Sequence, residues 1–138
     1  MNILEETQKL IAKYDLRPNS YVDENPFKRK RAAGDWLGEN DSYFQESKVA
    51  LELFVTKEKF ARVEKGWYGF DLFGVPPKWI LALEEFVVLL EQNSPDFKFL
   101  QWKLKMGGFR GYTANISENA QESINLLEEV LHDEKLIY

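Results

Sequence analysis

Five polar side chains in one short stretch of the chain have the types and spacing of an anion-binding site. They lie within residues 101–112, where two runs of strand-forming residues flank Gly107 and Gly108. Side chains in a strand alternate between faces, and a Gly-Gly step between two such runs predicts a hairpin. The polar side chains then share one face: Gln101, Lys103, Lys105, Arg110 and Tyr112. Arg110 could clamp a carboxylate or phosphate through two parallel donors, while the lysines add charge and the glutamine and tyrosine add directional hydrogen bonds.

The predicted turn sets which side chains face each other across the hairpin. A two-residue turn at Gly107 and Gly108 is favoured because both central residues of the mirror-image turn need a positive φ, which costs glycine little. This register places Lys105 opposite Arg110. The other face is apolar and is assigned to the core: Leu100, Trp102, Leu104, Met106, Phe109 and Thr113.

Two cations therefore face each other across the predicted hairpin, which costs roughly a few tenths of a kcal/mol or more. Residues 97–114 contain no acidic side chain that could offset this repulsion. An acid from elsewhere in the fold or an acidic partner must do so, and we favour the internal acid. One predicted source is the acidic stretch 116–138, which follows the hairpin directly and is expected to lie beside it. Another is Glu84 or Glu85, for which pairing with a hairpin cation is preferred to a buried carboxyl with a raised pKa.

The hairpin motif resembles the hallmark of a family of small uncharacterised bacterial and phage proteins, whose pattern runs Gln-x-Lys-Glu-Lys-Phe-Gly-Gly-Leu-Arg-Phe-Tyr. The chain matches it at Gln101, Lys103, Lys105, Gly107, Gly108, Arg110 and Tyr112. The similarity extends over residues 66–131, from Gly66-Trp67-Tyr68 onwards. Leu104 departs from it by replacing the usual glutamate, and the cysteine pair that ends many members is missing. The resemblance implies the fold and the exposed face, and it implies no reaction.

The remaining pattern predicts mostly helices. Residues 3–14 form an amphipathic helix, and residues 18–41 are a polar loop. That loop carries a basic run that could bind phosphate or act as a sorting signal, although nearby acids favour a solvated loop: Lys28, Arg29, Lys30 and Arg31. Residues 42–65 combine strand-like alternation with helix-capping signals and are assigned as helix, with Gly66 as its C-terminal cap.

The second half of the chain supplies the elements around the hairpin. The aromatic segment 67–74 is interpreted as a packing connection in preference to a ligand-stacking loop. Pro76-Pro77 opens a helix that is apolar almost all round to Leu90 and must be central. An Asn115-x-x-Glu118 capping box begins a final amphipathic helix. We predict a single α+β domain over residues 1–138, with helices packed on one face of a small antiparallel sheet that contains the Gly-Gly hairpin. Residues 1–65 are its helical and loop part, and residues 66–138 its helix-hairpin-helix part.

Composition narrows the possible functions. The net charge is −5, which disfavours general nucleic-acid binding, and the absence of cysteine excludes disulfides and thiolate chemistry. The N-terminus is too polar for a signal peptide, and no run of about 18 apolar residues exists for a membrane span. We therefore expect a cytoplasmic protein with no membrane partner and no cofactor.

Catalytic and metal-binding signals are weak. His132 is the only histidine, so it cannot contribute to a two-histidine metal site, and a surface position near a helix C-terminus explains it. The adjacent pairs Glu84-Glu85 and Glu128-Glu129 diverge by about 100° on a helix and cannot converge on one substrate. An enzyme centred on Glu84 or Asp71 is thus the least favoured class, and no catalytic or metal residue is assigned.

These observations favour a non-enzymatic binding protein of bacterial or phage origin that acts on another protein. An inhibitor or immunity-type role fits an acidic domain of this size without a catalytic set, because such proteins oppose basic effectors. The alternative is binding of nucleic acid or a phosphate ligand through the basic hairpin face, with Tyr112 stacking on a base.

Overall fold

The computed structural model of the chain describes residues 1–22, 56–72 and 75–136. In chain order these residues contain α1 (Ile3–Lys13), α2 (Lys57–Phe60), β1 (Gly69–Asp71), α3 (Pro77–Asn93), β2 (Lys98–Lys105), β3 (Gly108–Ala114) and α4 (Glu118–Val130). Helices together with a small sheet confirm the predicted α+β class.

Helix α1 begins at a side-chain cap and buries one apolar stripe. The Asn2 carboxamide oxygen accepts hydrogen bonds from the backbone N–H groups of Leu4 (3.1 Å) and Glu5 (3.2 Å). These are two of the N–H groups that the first helical turn cannot pair by itself. Ile3 and Leu10 are buried where α1 packs against α3 and α4. The helix predicted over residues 3–14 is confirmed.

Helix α3 carries the centre of the core. It begins at Pro77, as predicted, because the fixed φ of proline suits the first helical position. Its buried side chains are Trp79, Ile80, Ala82, Leu83, Phe86, Val87 and Leu90. The helix is not enclosed all round, however, since Leu81 and Val88 are about half exposed. Neither α3 nor any other helix among the described residues has the length and hydropathy of a membrane span.

The sheet has the strand order β1-β2-β3 and is mixed. β2 and β3 form the predicted antiparallel pair, whereas β1 runs parallel to β2. The predicted antiparallel pairing is therefore confirmed for β2 and β3, and the parallel strand β1 departs from it. Parallel neighbours need a long crossover connection, and α3 supplies it between β1 and β2.

The hairpin turns at Met106 and Gly107, so the predicted Gly107-Gly108 turn is wrong. Both turn residues have positive φ, 53° at Met106 and 82° at Gly107, as the mirror-image turn requires. Gly108 is the first residue of β3 and pairs with Lys105. Met106 was expected in the core, but at the turn it is 77% exposed.

A β-bulge in β2 changes which side chain enters the core. The pairing passes from Phe99 opposite Thr113 to Gln101 opposite Tyr112, which leaves Leu100 as the extra residue. Phe99 is consequently the buried side chain in place of the predicted Leu100. Its ring lies 4.8 Å from that of Trp102 between centroids, in an edge-to-face arrangement.

The helix predicted over residues 42–65 does not reach its expected end. Residues 42–55 lie outside the described residues, as do residues 28–31 with the basic run. Residues 57–60 form the single turn of α2, but Val63 then makes a parallel bridge to Phe99 and extends the sheet. Gly66, with φ 88°, lies in a turn and does not cap a helix.

The aromatic segment after this turn packs only in part. Leu72 is buried, and the ring of Phe70 lies 4.7 Å from that of Phe99 between centroids, as a packing connection requires. Trp67 and Tyr68, in contrast, are 50% and 79% exposed. Residues 73 and 74 lie outside the described residues.

Helix α4 is capped by Ser117, so the predicted capping box is wrong. Ser117 Oγ accepts a hydrogen bond from the Ala120 N–H at 3.1 Å. Asn115 has a φ of 60°, in the left-handed region, and follows the end of β3. Its conformation is incompatible with the extended backbone of an N-cap residue.

The segment after α4 covers the outer edge of β3. The Phe109 N–H donates to the Leu131 carbonyl, and the Asp133 N–H donates to the Gly107 carbonyl, both at 2.9 Å. The Asp133 carboxylate is fully buried. It accepts hydrogen bonds from the N–H groups of Tyr21 and Val22 at 2.9 Å and of Lys135 at 3.0 Å. One buried acid thus joins the first described segment to the hairpin turn.

Candidate functional site

The five predicted polar side chains lie on one face of the β2-β3 hairpin. The pairing sets Gln101 opposite Tyr112 and Lys103 opposite Arg110, and directly opposed side chains in an antiparallel pair share a face. The opposite face carries Trp102, which is fully buried. We call the set the basic sheet face: Gln101, Lys103, Lys105, Arg110 and Tyr112.

The predicted pairing within this face is wrong, although the face itself is as predicted. Arg110 lies opposite Lys103, and Lys105 lies opposite Gly108. Moving the turn by one residue changes each cross-strand partner by two residues, and side chains two apart in a strand lie on the same face. A like-charge pair therefore remains.

The aromatic ring of Tyr112 offsets part of this repulsion. Lys103 Nζ lies 5.7 Å from the centroid of that ring, within the range of a cation–π interaction, which contributes about 0.5–1 kcal/mol at an exposed site. Tyr112 itself is 46% exposed. The ring thus screens one cation and still presents a surface for contact.

Glu128 of α4 is the acid beside Arg110, in line with the prediction that the acidic helix lies next to the hairpin. Its Oε1 lies 3.8 Å from Arg110 Nη1, while its Oε2 accepts a hydrogen bond from the Gly111 N–H at 3.0 Å. The carboxylate is therefore anchored to the backbone at the edge of β3. Its contact with the guanidinium is long compared with the 2.7–2.9 Å typical of a charge-assisted hydrogen bond.

Arg110 retains donors that these contacts do not fill. Among the described residues its guanidinium makes one hydrogen bond, to the Phe109 carbonyl at 3.5 Å, and its side chain is 36% exposed. A guanidinium has five N–H donors in a planar fork. Among the described residues, no carboxylate makes a closer ion pair with it.

Two residues that the sequence did not assign to the site lie at its margins. Asp71 of β1 is in register with Lys103, which places its carboxylate on the basic sheet face. A β carbon built on Gly108 would lie 2.9 Å from His132 Nδ1 and 3.7 Å from Arg110 Nη1, so the imidazole also reaches this face. Alternation within the hairpin could not reveal either, because both come from other segments of the chain.

Glu84 and Glu85 do not reach the basic sheet face, so the prediction that one of them pairs with a hairpin cation is wrong. Glu84 Oε1 lies 3.8 Å from Lys59 Nζ, and Glu85 Oε1 accepts a hydrogen bond from Lys13 Nζ. Helix α3 packs against the apolar face of the sheet. Its carboxylates are therefore separated from the cations by the sheet itself.

The contact between Lys13 and Glu85 sets the charge state of both groups. Partial burial would raise the pKa of Glu85, but hydrogen bonds from Lys13 and Tyr14 outweigh it and hold the pKa below its usual value. The hydrogen bond to Glu85 raises the pKa of Lys13. The pair is thus ionised at neutral pH and links α1 to α3.

The arrangement on the basic sheet face can bind an anion, because Arg110 and Lys103 face each other across the hairpin. No group of three or more His, Asp or Glu side chains in the described part of the chain could hold a metal ion. Comparisons with protein family models, curated proteins and solved structures found no match to this chain. The resemblance to the bacterial and phage family stays a sequence-based prediction.

Proposed function

We propose that this chain is a non-enzymatic binding protein that docks another protein onto the basic sheet face. The observation that carries the proposal is the state of Arg110, whose guanidinium is partly exposed and makes only long contacts with the described residues. A cation held in this way on a sheet can form a two-pronged hydrogen bond with an incoming carboxylate. Cytoplasmic location, bacterial or phage origin and an inhibitor or immunity-type role are parts of this proposal.

The composition of the face supports a protein partner. Tyrosine and arginine are the residue types that most often dominate the binding energy of protein interfaces, and Tyr112 and Arg110 occupy neighbouring rows of β3. The face is built on strands, so its side chains are positioned before the partner arrives. Preorganisation of this kind lowers the entropic cost of association.

The alternative is binding of nucleic acid or a phosphate ligand through the same face. The exposed ring of Tyr112 beside Lys103 favours it, because base stacking and a nearby cation are the usual means of holding a single strand. The carboxylates of Asp71 and Glu128 at the margins disfavour it, as does the net charge of −5. We therefore place the protein partner first.

A capture experiment with matched variants tests the proposal. Immobilised full-length protein is exposed to extract of the source organism, with and without nuclease treatment, and captured proteins are identified by mass spectrometry. The wild type is compared with a Lys103→Gln/Arg110→Gln variant and with a Lys9→Gln/Arg17→Gln control. The control removes the same charge from side chains that are 74% and 70% exposed elsewhere on the surface.

We expect a protein that the wild type and the control capture and the face variant does not. Capture of the same protein by all three would show that the basic sheet face is not the binding surface. If capture depends on nucleic acid, so that nuclease treatment abolishes it, the alternative function takes precedence.

A further inference from the structure

We infer that the ligand of the basic sheet face is an extended acidic segment of the partner, with carboxylates on alternate residues, and that one of these carboxylates replaces Glu128 as the neighbour of Arg110. The inference rests on the proposed function and adds the chemistry and geometry of the partner. Glu128, which is anchored at the edge of β3, then has a further role, because its carboxylate competes with the ligand carboxylate for Arg110.

The first support is the unequal way in which Glu128 is held. Its Oε2 is fixed by the Gly111 N–H at 3.0 Å, whereas its Oε1 approaches Arg110 Nη1 only to 3.8 Å. A ligand carboxylate can therefore approach the guanidinium without removing Glu128 from the edge of β3. The short hydrogen bond to Gly111 stays in place, and only the long electrostatic contact is given up.

The spacing of the cations supports an extended segment. Lys103 and Lys105 are two residues apart in β2, which corresponds to about 6.7 Å along a strand. Carboxylates on alternate residues of an extended peptide have the same separation. A peptide lying along β2 could therefore place one carboxylate near Lys105 and the next between Lys103 and Arg110, which face each other across the hairpin.

The charges at the margins favour this ligand over a nucleic acid. The register places Asp71, Lys103 and Arg110 in one row across the sheet. Glu128 of α4 lies beside Arg110, so that the row has an acid at each end. A nucleic-acid strand carries a continuous line of phosphates, and any path across the strands would bring phosphates over both acids. A short peptide along β2 meets the central cations and avoids the margins.

Direct binding of two labelled peptides tests the inference. One peptide alternates glutamate and threonine, and the other has the same composition with its glutamates in one block. Fluorescence anisotropy with full-length protein measures the affinity of each, with a single-stranded oligonucleotide of similar length as the competing probe. We expect the alternating peptide to bind more tightly than both other probes, and its binding to weaken as salt rises from about 50 to about 200 mM.

Two substitutions of neighbouring glutamates give the decisive comparison. Glu128→Gln keeps an oxygen that can accept from the Gly111 N–H but removes the charge beside Arg110. Glu129→Gln removes the same charge from an exposed position of the same helix. We expect Glu128→Gln to bind the alternating peptide about threefold more tightly or better, Glu129→Gln to bind like the wild type, and Arg110→Gln to bind at least about tenfold more weakly. Thermal unfolding checks that each variant is folded.

Equal affinity of Glu128→Gln and Glu129→Gln would overturn the competitor role. Equal binding of the two peptides, or preferred binding of the oligonucleotide, would overturn the assigned ligand. If the captured partner depends on the basic sheet face but neither peptide binds, this inference fails and the proposed function stands. If capture does not depend on the face, the proposed function fails.

Discussion

The backbone oxygen of Asp133 occupies the space that a side chain at residue 107 would need: a β carbon built on Gly107 would lie 2.4 Å from it. The same two residues are joined by the hydrogen bond from the Asp133 N–H to the Gly107 carbonyl. The hairpin turn and the segment after α4 are therefore in direct backbone contact. No other amino acid can occupy position 107 without moving one of them.

Gly107→Ala should lower the free energy of unfolding by about 2 kcal/mol or more, because it combines a positive φ with a clash against the backbone. Gly66→Ala is the matched control, since Gly66 also has a positive φ (88°) but has open space around it. The control should cost only about 1 kcal/mol, the strain of the left-handed backbone alone. Urea unfolding of both variants measures the difference, and equal losses would contradict the contact with Asp133.

Gly108→Ala should destabilise the protein by about 1 kcal/mol for a different reason. Here the obstacle is a side chain, because the added carbon would lie 2.9 Å from His132 Nδ1. Replacing the histidine as well, in a Gly108→Ala/His132→Ala variant, should recover most of the loss. A double-mutant cycle measured by chemical denaturation detects the coupling. Additive effects would place His132 away from the basic sheet face.

Asp133→Ala should be strongly destabilising, by about 3 kcal/mol, because it removes a buried acceptor from three backbone N–H groups, of which that of Tyr21 is itself buried. Two of them, at Tyr21 and Val22, belong to the segment that follows α1. Hydrogen exchange should show that these amides lose protection together. Asp96→Ala, at an exposed position, is the control and should change stability by less than about 0.5 kcal/mol. Equal effects of the two substitutions would exclude the proposed anchoring role.

The pair formed by Lys13 and Glu85 should make stability depend on pH at low pH. The pKa of Glu85 is lowered in the folded protein, so its ionised carboxylate stabilises the fold at pH values above the ordinary pKa of 4.5. This stabilisation is lost as the pH falls through the pKa that Glu85 has in the folded protein. The pKa of Lys13 is raised above 10.5 in the folded protein. The stabilisation that its ammonium group provides is therefore lost only as the pH rises beyond 10.5.

The thermal midpoints of the wild type and of Glu85→Gln, measured from neutral to acid pH, check this prediction. The difference between them should be largest near neutral pH and should shrink below about pH 4.5. Glu129→Gln serves as the control for general charge effects. A difference between wild type and Glu85→Gln that is independent of pH would show that the pair does not contribute through its charge.

Local sequence patterns were sufficient to predict several of the helices and strands. The apolar stripe of residues 3–14 and the proline at position 77 predicted α1 and the start of α3, because both signals act within one helical turn. The two faces of the hairpin were also predictable, since strand alternation has a period of two and any shift of partners by two residues preserves it. The capping residue of α4 could not be predicted in this way. Asn115 and Ser117 are both residue types that suit an N-cap, and only their backbone conformation distinguishes them.

By itself, then, the sequence determined that residues 101–112 form a strand pair with its cations on one side and Trp102 on the other. Tertiary structure decided the rest of the site. The turn lies at Met106 and Gly107, where segments distant in sequence supply Asp133 and His132 as neighbours of the two glycines. Glu128 reaches Arg110, and Glu85 does not, because the sheet separates α3 from the cations. Such contacts depend on which elements pack together in space, and strand or helix periodicity contains no information about that.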